Sequence, residues 1–403
     1  MRASGLFRGV LVALSLGALM AGRRGEAQST AGSSPGSNPQ AARATPGPST
    51  GPSGAWRWMF GADARHTGRS ARRGPRRAPT EAWRVRTRRR VFASPGLTAE
   101  GWVVFGSLDG AVHAVDGAGT VRWSRLGGGR VFGAPAVSAD LVVVGEDGGA
   151  FVGIGPRGGV RWRQTSDEDC DAPAVVGPDG TFYAASRWLR ALGPDGSVRF
   201  EVALQGHVFG APALHGGVLY VPEMPGAVAL LRAADGSLVR RVGLPAMQVG
   251  GVLVLDDGGF VVGSEDGHVR AFGQDGAPRW DFATQGAARG MGVRTTPALR
   301  RDGAVVFGAE DGGFYGVRGA DGAEAFRVQT AGPVRSSACV DRDDWVYFGS
   351  QDDRVYAVDP AGAVAWSVGL GADVDSGPVV YADGALAVGA DDGALHALVA
   401  GRD

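Results

Sequence analysis

Acidic residues recur along the chain at Asp109, Glu146-Asp147, Glu265-Asp266, Glu310-Asp311, Asp352-Asp353 and Asp391-Asp392. Carboxylates are the ligands of hard cations such as Ca2+, so a metal-binding reading must be weighed first. Gly or a second turn residue follows nearly every one, and Asp-Gly between apolar runs is a strong hairpin signal, because the turn needs positive φ. Their regular spacing also spreads them instead of gathering them, so we read them as turns and assign no metal site. Asp341-Arg342-Asp343-Asp344 lacks the Gly and the terminal Glu of a calcium-binding EF-hand loop. His113 and His396 occupy the slot that Tyr356 fills in another copy of the same pattern, and His268 starts the same strand, so they read as packing residues. His66, His207 and His215 have no Cys or His partner at ligand spacing, and no GxSxG, HExxH, CxxC or phosphate loop is present. No catalytic residue and no cofactor site is assigned.

The unit that sets this spacing is 94–124, SPGLTAEGWVVFGSLDGAVHAVDGAGTVRWS. An apolar run, an Asp-Gly turn, a second apolar run, another Gly turn and a strand ending in Trp make a set of short strands. Four strand positions can be followed. The first is marked at Pro95, Pro135, Pro173, Pro212, Gly251, Pro297, Ala338 and Pro378. The second and third also occur eight times, from WVVFGS at Trp102 to ALAVGA at Ala385 and from AVHAVD at Ala111 to ALHALV at Ala394. The fourth carries Trp123, Trp162, Phe200, Trp280, Phe326 and Trp366, with Arg240-Arg241 standing in once, and is therefore one copy short. The missing copy is Glu81-Ala82-Trp83-Arg84-Val85, upstream of all the others. An all-β, eight-bladed propeller of four-stranded antiparallel blades follows, closed by the N-terminal strand around Trp83.

The order Ala-Pro, V-x-V/F-G-S-x-D-G, V-Y/H-A-V/L-D and G-x-V-x-W resembles the PQQ-like repeat family, which includes quinoprotein dehydrogenases and a propeller lipoprotein of outer-membrane assembly. Trp56 to Ser70, WRWMFGADARHTGRS, is similar to the segment that opens many members. The resemblance implies that the repeat Trp packs between blades, a role assigned to Trp83, Trp123, Trp162, Trp280 and Trp366. It also implies an alternative function, a PQQ-dependent oxidoreductase. Those enzymes carry large insertions, usually an adjacent Cys-Cys disulfide and a calcium-ligand cluster, whereas here the repeats are compact and the two Cys are isolated.

The formal net charge is zero, but residues 1–90 carry 17 Arg against 3 acidic residues and the rest 24 Arg against 38. Arg2, Arg8, an apolar run from Val10 to Ala21 and Gly25-Glu26-Ala27 read as a secretory signal peptide, 1–27. Residues 28–55, rich in Ser, Pro and Gly, read as a disordered linker and 56–403 as the propeller. With no Cys near the cleavage region, the exported chain is expected in the periplasm or outside the cell without a lipid anchor. Cys170 and Cys339, in opposite blades of an eight-membered ring, are expected as free thiols. Arg65 to Arg90 holds 11 Arg and one Glu. Export excludes nucleic acid as their partner and leaves either a basic strand lying on an acidic propeller or a weak contact with an anionic surface.

Function is best sought where copies deviate. Arg187-Trp188 replaces an acidic turn, Glu223-Met224-Pro225-Gly226 another, and Gln285 to Arg294 is an insertion between the fifth and sixth copies. In propellers these loops share one rim. Arg187, Trp188, Met224, Arg289, Met291 and Arg294 are therefore the candidate surface for a protein partner of the cell envelope, on a monomeric, non-catalytic scaffold.

Overall fold

The computed structural model describes residues 57–401, so the expected signal peptide and linker lie outside the described residues. Seven four-stranded antiparallel sheets and one of five strands follow each other as blades. Blade 1 is Gly96–Leu97, Val103–Gly106, Ala111–Val115 and Val121–Leu126. Its second strand is buried at every residue while its fourth is buried only at Trp123. This gradient reflects sheets sandwiched by neighbours at the centre and wet at the periphery. Blade 8 takes Val379–Ala382, Ala385–Ala390 and Ala394–Ala400 from the C-terminus and its outer strand, Pro79–Arg86, from the N-terminus. Trp83 pairs with Ala397 and Arg84 with His396, so the ring closes as the missing fourth copy requires.

Two first-strand markers shift by one residue. Val175 pairs with Tyr183 and Leu253 with Val261, at the positions where Ala136 pairs with Val143. Ala174 and Val252, not Pro173 and Gly251, therefore hold the place of Pro135. The marker failed because Ala172-Pro173 sits one residue early in a joining loop of unchanged length, and because blade 5 has no Ala-Pro, its slot being Gly251-Val252.

Outer-strand aromatics bridge to the next blade. Trp162 lies on Gly196, where a Cβ would stand 2.5 Å from the indole Cγ. That glycine has φ +83°, which also favours Gly in the turn. Trp83 on Gly119, Trp123 on Gly158, Phe200 on Gly236, Trp280 on Gly322 and Phe326 on Gly362 repeat the contact. In blade 5 the stem of Arg240 and Val242 meet Gly276 instead. Trp366 has no such turn ahead of it, because blade 8 is where the chain breaks, and its Nε1 donates to the Pro75 carbonyl at 2.9 Å.

The segment leading to blade 8 forms a strap along the first strands of successive blades. Arg57–Trp58 pairs antiparallel with Ala136–Ser138, the innermost strand of blade 2, making its fifth strand. Arg57 Nη2 then donates to the Pro178 carbonyl of blade 3 at 2.6 Å. The carbonyls of Ala64, Arg65, Thr67, Gly68 and Arg73 accept from Leu214, Val254, Leu299, Val340 and Gly384, one blade after another, at 2.6–2.9 Å. We call this side of the ring the strap face, and the other, built of second-to-third-strand turns and blade-joining loops, the loop face.

Candidate interaction face

On the loop face the turns and joining loops are stitched into a belt by backbone hydrogen bonds. Asp147 N–H donates to Arg130 O at 2.8 Å, and Cys170 N–H in the next loop donates back to Glu146 O at 3.3 Å. The same pair of bonds recurs around the ring, as from Glu265 to Met247 and from Val293 to Ser264, both at 2.9 Å. Backbone satisfaction therefore fixes the loops, and side chains on them are free to differ.

The six candidate surface residues all belong to this belt but differ in exposure. Arg187 is exposed at the apex of a tight turn in which Ser186 N–H reaches the Trp188 carbonyl at 3.0 Å, with Glu168 at 3.8 Å. Trp188 is half-buried at the start of the third strand, paired with Ala203. Arg289 ends a short 3-10 helix, Ala287–Arg289, and is exposed; Met291 just beyond is half-buried. Met224, by contrast, is only 8% exposed. Arg294 is held by Glu265 in a two-pronged pair at 2.8 and 3.1 Å, with Glu310 at 3.8 Å. The surface expected from the sequence thus narrows to four residues. Met224 tucks beneath the loop, and Arg294 ties blade 5 to blade 6.

Arg335 grips Glu310 at 2.7 and 2.9 Å, so Glu265, Arg294, Glu310 and Arg335 form a continuous charged relay across blades 5 to 7. Buried Glu146 and Glu223 are met by Arg163 at 2.7 Å and Arg241 at 2.6 Å, from the outer strand of their own blades. Arg241 explains why blade 4 tolerates a pair of arginines where others have an aromatic. Two acidic groups stand out beside these neutralised pairs. Asp147, Asp169 and Asp171 gather between blades 2 and 3. At the 7/8 junction burial, then Asp375, pushes Asp391 up to about 7, although Arg90 lies 2.7 Å away.

His113 stacks on Phe105 and bonds Ser124 Oγ at 2.7 Å, and His396 lies between Glu81 and Asp392 at 3.1 Å each. Both belong to strand packing. Much of the basic stretch is turned inward. Arg65 pairs with Asp256, Arg69 caps the Leu299 and Arg300 carbonyls, and Arg72 reaches the Tyr381 carbonyl. Arg73 and Arg76 converge on Asp343, both at 2.7 Å, and Arg76 also meets fully buried Asp341 at 2.6 Å. These cations hold the strap to the acidic turns of the strap face. Cys170 and Cys339 are both free and buried, and desolvation pushes each thiol up to about 12. On the strap face a cleft of about 630 Å3 opens between blades 3 and 4, lined by Met59, Val176, Tyr183, Phe200 and Leu214 among others. No helix among the described residues is long and apolar enough to cross a membrane.

Residues 76–169, 150–344 and 351–402 match the family described as outer membrane protein assembly factor BamB. A protein of that name from Burkholderia pseudomallei is 26% identical over 268 residues, 63% of this chain and 66% of its own length. Among solved structures, BamB from Moraxella catarrhalis superposes with a TM-score of 0.64 at 16% identity, over 80% of this chain and 99% of that one. Quinohemoprotein alcohol dehydrogenase from Comamonas testosteroni superposes at 0.71 with 13% identity, over 86% and 81%. At these identities the two structures speak for the fold alone. The family match spans nearly every blade: the chain belongs to the BamB family of PQQ-like repeat propellers.

Proposed function

We propose that this chain is a non-catalytic scaffold of the bacterial cell envelope that binds a protein partner through the loop face of blades 3 to 5. The observation that carries the reading is the match of residues 76–344 and 351–402 to an outer-membrane assembly factor family. Arg187, Trp188, Arg289 and Met291 supply the exposed and half-exposed surface, and Trp and Arg are the residue types that dominate binding hot spots. In this reading 1–27 directs export, 28–55 is a linker and 56–403 acts as a monomeric propeller, with machinery for outer-membrane protein assembly as the candidate partner. The quinone-dependent alternative shares the fold, but the chain does not offer the adjacent cysteine pair: Cys170 is buried in the loop between blades 2 and 3 and Cys339 in the first strand of blade 7. We derive no step through a quinone.

The test is photo-crosslinking in the native envelope, with p-benzoylphenylalanine at position 188 or 289 and at exposed Ala234 on the strap face. Adducts of one defined mass from 188 and 289 but not from 234 are expected. Adducts only from 234 would overturn the assignment of the face. Dye-linked dehydrogenase activity on adding quinone and Ca2+ would overturn the non-catalytic reading.

A further inference from the structure

Between blades 2 and 3 three carboxylates converge on the loop face. Asp147 lies in the turn of blade 2, and Asp169 and Asp171 flank Cys170 in the loop that follows. Each presents an oxygen, and those oxygens lie within 4.8 Å of one another. The loop has little room to splay. Cys170 N–H bonds Glu146 O at 3.3 Å and Ser166 N–H bonds Gly149 O at 2.8 Å. A Cβ on Gly145 would stand 2.0 Å from the Cys170 carbonyl and one on Gly149 2.4 Å from the Ser166 carbonyl, so both glycines permit this close approach.

Asp171 is only 8% exposed, and its Oδ1 is wholly buried with no hydrogen-bond donor among the described residues. A buried carboxylate oxygen without a donor is a costly arrangement that a bound cation relieves. Of the nearby cations among the described residues, only Arg130 is bonded to the trio, and it is taken by Asp147. Arg130 bonds Asp147 at 2.6 Å, Arg190 is taken by Glu201 and the Thr165 carbonyl, and Arg187 stands by Glu168 at 3.8 Å. Three carboxylates against one guanidinium leave two negative charges.

The 7/8 junction shows what the same loop position does when it is satisfied internally. There Asp375 accepts from the Gln351 amide at 3.0 and 3.3 Å. Gln351 holds the turn position that Asp147 holds in blade 2. Exchanging that amide for a carboxylate turns a donor into a third acceptor.

We propose that Asp147, Asp169 and Asp171 bind one hard divalent cation of the Ca2+ class, which bridges the turn of blade 2 to the loop entering blade 3. Oxygens within 4.8 Å of one another fit on a coordination sphere of radius about 2.3–2.6 Å, that of Ca2+, and an all-oxygen donor set disfavours the softer transition metals. Cys170 is no ligand: its Sγ contacts the Glu168 carbonyl at 3.6 Å. The competing solution is a shared proton, since burial and then the charges of Asp147 and Asp169 push Asp171 up to about 7.

The experiment uses the purified full chain, stripped with chelator and held above pH 8 so that a proton competes weakly. CaCl2 is titrated calorimetrically and melting is followed with and without it. One Ca2+ per chain is expected, with a rise in melting temperature of about 4 °C at a hundredfold excess over Kd. Asp171→Asn, or Asp169→Asn should the first fail to fold, is expected to weaken binding at least about tenfold and so cut the rise at the same CaCl2 concentration to about half or less, since affinity follows the number of charged ligands. Asp391→Asn, across the ring, should leave both intact. Absence of heat and of a melting shift in the wild type up to about 10 mM CaCl2, beyond the weakest usual calcium modules, would overturn the proposal. So would unchanged binding in Asp171→Asn and Asp169→Asn.

Discussion

Trp162 and Trp123 occupy the same repeat position, yet their indole N–H groups differ. Trp162 Nε1 donates to the Pro194 carbonyl at 3.0 Å, whereas Trp123 Nε1 is buried with no acceptor among the described residues. Both rings rest on a turn glycine of the next blade, at Gly196 and Gly158, and both residues are 9% exposed. Replacement by Ala should therefore cost either site about 3–5 kcal/mol, the usual penalty for deleting a large buried aromatic. Replacement by Phe separates them. Trp162→Phe removes one ring and a hydrogen bond worth about 1 kcal/mol net. Trp123→Phe removes a similar ring but also relieves a buried, unpaired donor, a gain of about 1 kcal/mol or more. The shared loss of ring area cancels in the comparison, so Trp162→Phe should be less stable than Trp123→Phe by about 2 kcal/mol. Guanidinium unfolding followed by far-UV circular dichroism, with a common slope for the two variants, reads this as a lower midpoint for Trp162→Phe. Equal midpoints, or the reverse order, would refute the account of the two indoles; an unchanged melt in Trp123→Ala would refute the packing role altogether.

His66, 1% exposed in the strap, is driven by burial to a pKa of about 4 against an ordinary 6.5. Its neutral form is the folded one, so its contribution is complete above pH 6.5, is lost as pH falls to about 4, and amounts to about 3 kcal/mol. His66→Asn, which tolerates the positive φ of 58° at that site, should flatten the fall in melting temperature between pH 7 and 4.5. Arg241→Met leaves the Glu223 carboxylate buried without its cation and should cost about 3–5 kcal/mol, with partial recovery in Glu223→Gln/Arg241→Met, read by the same denaturation. Cys170 and Cys339, both pushed up to about 12, should resist a thiol-specific reagent at pH 8 until the protein is unfolded.

Blade number and ring closure were legible because strand alternation and turn glycines repeat locally, and because Glu81 to Val85 copies a pattern whose place among the blades is otherwise vacant. The strap was not legible beyond its basic character. Its contacts from Ala64 to Arg73 use backbone carbonyls, which leave no mark in side-chain type. Arg294 looked like surface because it sits in an insertion, while its partner Glu265 lies 29 positions earlier with no helical or strand period linking them. Met224 was misread for the opposite reason: a large apolar residue in a turn can be a contact or a plug, and only the loop above it decides. The acidic trio escaped because Asp147 belongs to a periodic turn, whereas Asp169 and Asp171 lie in a blade-joining loop more than twenty positions later with no period linking them to it.

The strap also fixes an order of events. Its residues are among the first of the fold to be synthesised, yet Gly68 bonds to Val340, and Arg73 to Asp383, 310 positions away. On a chain growing from its N-terminus these groups wait, unpartnered, until the last blade exists. Pairings of such sequence separation form slowly and leave strand edges open meanwhile. A chain cut short before Ala394 is therefore not a smaller propeller but an unlatched one, with Pro79–Arg86 lacking its partner strand, Ala394–Ala400. Such a product should be recognised by chaperones and proteases, and restored by supplying the missing C-terminal strands in trans.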